Sequence, residues 1–67
     1  MSGDIHVLPH HNGWAIAIEG TGLRTPYETR EAAMSVATEM AKMTQVDLVI
    51  YSQDGKVSEH RMRGYAH

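Results

Sequence analysis

Cysteine is absent from this chain of 67 residues, which excludes disulfides and thiolate metal sites. The absence is compatible with a reducing compartment. Positive charge is not in excess either. Lys and Arg number 6 against 8 Asp and Glu, for a formal net charge of −2 and a pI near 6.2. Overall charge therefore does not drive the chain to nucleic acid. No apolar run approaches the roughly 20 residues of a membrane-spanning helix. Met1 to Ile5 lack the basic stretch and apolar core of a secretion signal. The expectation is a soluble, cytoplasmic protein with no membrane partner. Catalytic signatures are lacking too. Ser2, Ser35, Ser52 and Ser58 stand in no nucleophile-elbow pattern. Gly20-Thr21-Gly22 is not followed by the Lys-Ser/Thr of a phosphate loop. The chain does not read as an enzyme, and no cofactor is implied.

What is present is a regular arrangement of turns around one helix. Asn12-Gly13 and Asp54-Gly55 each separate two β-favouring runs, and both dipeptides favour hairpin turns because Gly accepts φ > 0. Strands are expected near 5–8, 14–19, 46–51 and 56–62. Pro9 ends the first of them or places it at a sheet edge. Trp14, Ile16 and Ile18 alternate with Ala15, Ala17 and Glu19, and the larger set is expected to face the core, with Trp14 as an anchor. Gly20 to Pro26 reads as a loop, with Leu23 folding back as a cover.

A helix is expected near 30–43. Thr29 is its N-cap and Glu31 complements the dipole in its first turn. Ala33, Val36, Ala37, Met40 and Ala41 recur at helical spacing as the buried stripe, with Met34 lying off it. No Gly closes the helix. Residues 64–67 read as a tail. The expected fold is α+β, of order ββαββ: one small domain over 1–67, a four-stranded antiparallel sheet with one helix packed on one face. A domain of this size buries only about 60% of its unfolded surface, so oligomerisation or a His-based metal site is the expected support.

Taken in order, several residues carry a family resemblance. They are Val7-Leu8-Pro9, then Asn12-Gly13-Trp14 running to Gly20, then Thr29-Arg30-Glu31-Ala32 with Ala37 and Ala41. Leu48-Val49-Ile50, Asp54-Gly55-Lys56-Val57 and Gly64-Tyr65 complete the pattern. The chain resembles the Domain of Unknown Function 2188 family of small bacterial proteins over nearly its whole length. His10-His11 and the His-tipped tail depart from the family pattern. The resemblance implies the fold and carries no activity or catalytic residues.

Three candidate surfaces follow from the residues. One helix covers one face of a sheet, so the other face is left for a partner. Alternation places Ala15, Ala17, Val49 and Tyr51 there, and the leading expectation is a small binding module or adaptor that self-associates, as a dimer, through this face or a sheet edge. The alternative is nucleic-acid contact through Lys56, His60, Arg61, Arg63 and Tyr65 at the basic C-terminal end. The third is metal binding, with His6 and His60 meeting if their strands are neighbours. Adjacent His10 and His11 become joint ligands only if the turn bends them together.

Overall fold

The computed structural model describes residues 3–62. The element order is β1 (Ile5–His10), β2 (Gly13–Ile18), β3 (Arg24–Tyr27), α1 (Arg30–Thr44), β4 (Leu48–Tyr51) and β5 (Val57–Arg61). The strands form one five-stranded sheet in the order β3-β2-β1-β4-β5. The α+β class with a single helix holds, but the sheet is mixed rather than all antiparallel, because β1 and β4 run parallel.

One strand accounts for both differences from ββαββ. Arg24-Thr25-Pro26-Tyr27 pairs antiparallel with β2, from Trp14↔Tyr27 to Ala17↔Arg24. It lacks an apolar alternation and contains a proline, so it reads as loop; at a sheet edge, a missing N–H is tolerated. This additional strand also reverses the chain before the helix. Without it, the helix would return the chain antiparallel to β1. With it, β3 is parallel to β1, the helix carries the chain back, and β4 enters parallel to β1.

β1 is consequently the central strand, not an edge. Pro9 is accommodated because β4 pairs only with Ile5–Val7 and has left β1 by that point. The first turn also differs from the Asn-Gly expectation. His10 pairs with Gly13, so the two loop residues are His11 and Asn12. The positive φ falls on His11, at 54°. Gly13 lies inside β2 and is required for space: a Cβ there would sit 2.6 Å from the carbonyl oxygen of Tyr27.

The core lies between the helix and one face of the sheet. Ile5, Val7, Trp14, Ile16, Leu48 and Ile50 meet Ala33, Ala37 and Ala41. The three alanines stand at i, i+4 and i+8, so the helix presents a smooth stripe that approaches the sheet closely. Val36, expected in that stripe, is exposed, while Met34 packs against the core. The stripe centres on Ala37, and Val36 is turned about 100° from it. Leu23 is 67% exposed and covers nothing. Thr29 caps the helix as expected, its Oγ1 accepting from the Ala32 N–H at 3.1 Å. The C-terminal cap is Gln45 in the left-handed region, its N–H bonded to the Ala41 carbonyl at 2.8 Å.

Candidate interaction face

The register sorts every strand residue onto one of two faces. Val49 pairs with His60 and Ile50 with Glu59, but Tyr51 pairs with Val57, so Ser58 is an extra residue that bulges β5. The bulge brings Val57 onto the same face as His60. Val57 and Met62 read as lying on opposite faces under strict alternation; the bulge removes that conflict.

The face away from the helix is crossed by a continuous row. Arg24 pairs with Ala17, Ala17 with His6, His6 with Val49, and Val49 with His60. A second row begins Pro26, Ala15, Leu8 and ends with Tyr51 and Val57. Among the described residues no element covers this face. All four residues expected on it lie there, but two are not contact surface. Ala15 is fully buried and Val49 nearly so, each between larger register neighbours. Ala17 and Tyr51 are half-buried. The accessible apolar surface comes instead from Leu8, which is half-buried, and from exposed Pro26, Val57 and Met62. Leu8 was legible from alternation. Pro26 required β3, and Val57 required the bulge.

Polar groups on the face are held in place. His6 Nδ1 and the Tyr51 hydroxyl hydrogen-bond at 3.2 Å, their rings tilted with centroids 5.8 Å apart. His60 Nε2 lies 2.9 Å from Asp47 Oδ2. A hydrogen bond ties down the start of β4: Asp4 Oδ1 accepts from the Asp47 N–H at 3.3 Å.

The metal and nucleic-acid candidates do not converge. β4 separates β1 from β5, so His6 and His60 share a row with Val49 between them and do not meet. His10 and His11 are brought together by the turn, with ring centroids 4.2 Å apart. No group of three or more His, Asp and Glu residues suited to a metal ion occurs among the described residues. Arg61 points to the helix side of β5, where its Nε donates to Glu59 Oε2 at 2.7 Å. That hydrogen bond holds the Glu59 carboxyl below its usual value, with the charges of Arg61 and Arg30 adding to it. Lys56 is exposed in the second turn. Arg63 and Tyr65, with the expected tail 64–67, lie outside the described residues. The described members of the basic set, Lys56, His60 and Arg61, are thus divided between a turn and two faces.

At the other side of the molecule, Arg30 straps the helix to the sheet. Its guanidinium lies 5.5 Å from the Trp14 ring centroid, and its Nε donates to the Tyr51 carbonyl at 3.4 Å. A cation in the first helical turn opposes the dipole, and these two contacts offset that cost.

The family model described as an uncharacterized protein conserved in bacteria (DUF2188) matches residues 5–62. No curated protein and no solved structure matches the chain. In the described residues, no helix is long and apolar enough to cross a membrane.

Proposed function

The chain belongs to this bacterial DUF2188 family, and from that premise we propose that it is a small non-enzymatic binding module that works as a homodimer through the sheet face opposite the helix. The observation that carries this reading is the uncovered face itself. It displays Val57 at 58% exposure beside Tyr51 and Leu8, while Met62, 67% exposed, follows the other end of β5. A sheet with one solvated face normally turns polar residues outward, and on this mixed sheet Leu8, Pro26, Tyr51 and Val57 depart from that.

The two sheet edges are poorer docking sites. Edge strand β3 contains Pro26, which has no N–H to give. Edge strand β5 is bulged at Ser58 and carries Glu59 and Arg61. Proline, bulges and charge all discourage further strand pairing. Association through the face leaves these guards undisturbed.

Sedimentation equilibrium is expected to show a reversible dimer at high micromolar concentration. Val57→Glu should shift the protein to monomer with little change in its melting temperature, because Val57 is exposed in the isolated chain. Met43→Gln, on the opposite side and 81% exposed, should leave association unchanged. A clean wild-type monomer at that concentration overturns the reading.

A further inference from the structure

The tip of the β1-β2 hairpin carries two adjacent histidines, His10 and His11. We propose that they form a bis-imidazole site for a tetragonal divalent transition-metal ion, with Cu2+ bound most tightly. This site stands independently of self-association.

In an extended strand, neighbouring side chains point to opposite faces, so adjacent histidines are poor joint ligands. The hairpin removes that obstacle. His10 is the last residue of β1 and pairs with Gly13, which leaves His11 and Asn12 as the loop. His11 takes φ of 54°, which breaks the alternation, and its ring meets that of His10 with centroids 4.2 Å apart. Gly13, across from His10, brings no side chain against the pair. His10 is half-buried and His11 exposed, so the pair is open to solvent. A positive φ is uncommon for a residue with a Cβ, and Asn12 is suited to it, yet His11 adopts it. Imidazole is also the commonest metal ligand.

The ring separation selects the coordination angle. A metal–nitrogen bond of about 2.0 Å puts an imidazole centroid about 3.2 Å from the ion. Two such rings about 90° apart, as on adjacent corners of a square, have centroids about 4.5 Å apart. At the tetrahedral angle of about 109° the centroids are about 5.2 Å apart. The observed 4.2 Å lies beside the first value and well short of the second. The 65° between the ring planes is no obstacle, because each ring turns about its own metal–nitrogen axis without changing the separation. Flipping a ring about its Cβ–Cγ bond exchanges nitrogen and carbon positions and also preserves the separation, so the nitrogens are free to converge. The pair thus fits two neighbouring positions of a tetragonal ion. Imidazole suits Cu2+ and Ni2+, which take that geometry, and Cu2+ heads the divalent affinity order.

Among the described residues no third His, Asp or Glu joins the pair, so the protein fills two positions and water the rest. The other described histidines are engaged elsewhere, His6 with Tyr51 and His60 with Asp47. Cysteine is absent, so no thiolate competes for the ion. Structural zinc is enclosed by four protein ligands, and this site is not of that kind. Two protein ligands with open positions hold an ion reversibly at the surface, where it exchanges or accepts a donor from another molecule.

The test is a Cu2+ titration of the untagged full chain, read by calorimetry and by electron paramagnetic resonance. One Cu2+ per chain is expected, with a tetragonal signal that shows two equatorial imidazole nitrogens. His10→Gln and His11→Asn are each expected to lower the affinity at least about tenfold, because the second imidazole acts at high effective concentration. Asn tolerates the positive φ, so His11→Asn keeps the hairpin, and an unchanged melting temperature checks this. His6→Gln and His60→Gln should leave copper binding unchanged. If His10→Gln and His11→Asn bind Cu2+ as tightly as the wild type, the site is overturned. A resonance signal with fewer than two imidazole nitrogens overturns it as well, as does loss of binding in His6→Gln or His60→Gln in place of the hairpin variants.

Discussion

Gly13 shows how a residue can be required for a reason other than the one its neighbours suggest. Beside Asn12 it reads as a turn glycine, yet it sits in β2 against the carbonyl of Tyr27. Backbone oxygen cannot swing aside as a side chain can, so Gly13→Ala must displace β3 from β2. The expected cost is about 1–3 kcal/mol, read by urea unfolding. Asp54 is the contrasting case, where the turn assignment and the structure agree. Gly55 has φ of 87°. Asp54 accepts from the Ser52 hydroxyl and, at 3.1 Å, from the Lys56 N–H. These bonds, the Ser52 hydroxyl first, lower its pKa from 3.8. A carboxyl with a lowered folded-state pKa stabilises the fold above its unfolded pKa and loses that contribution as pH falls through the folded value. Asp54→Asn should accordingly make thermal stability less sensitive to acidification below about pH 4. An acid titration of melting temperature that is identical for both proteins would refute this.

Among the elements, the helix is the most completely specified by its own residues. Thr29, Glu31 and the alanine repeat set its start and its buried stripe. Its end is less economical. Gln45 takes φ of 59° and ψ of 47°, a conformation that side chains with a Cβ disfavour. Gln45→Gly is expected to raise stability by up to about 1 kcal/mol, measurable as a higher melting temperature. The strands are less self-sufficient. β2 is announced by Trp14, Ile16 and Ile18, whereas β3 has no such pattern and forms because β2 offers it a free edge. β5 likewise gains its facing from the bulge at Ser58, which depends on β4.

For the whole molecule, the sheet order sets a gradient of stability. β1, β2 and β4 each have neighbours on both sides, while β3 and β5 are edges. The helix packs over β1 to β4 and leaves β5 outside its main cover. Native-state hydrogen exchange should therefore protect Ile5, Val7, Ile16 and Ile50 most, and the amides of β5 and β3 least. Protection of β5 equal to that of β1 in the monomer would contradict this picture. If the proposed dimer forms, exposed side chains of the open face, not the edges, should lose solvent access.

Local features were legible from the residues alone: the N-capped helix, the strong strands around Trp14 and Ile50, and the division of strand residues between a core face and an outer face. These follow from periodicity and short-range hydrogen bonding, which operate within a few residues. The sheet order, the parallel pairing of β1 and β4, and the accessibility of each outer residue emerge only when the chain is folded. Each depends on strands far apart in the chain. A single unrecognised edge strand, β3, reversed the direction of everything that followed it relative to β1. The same long-range pairing buried Ala15 and Val49.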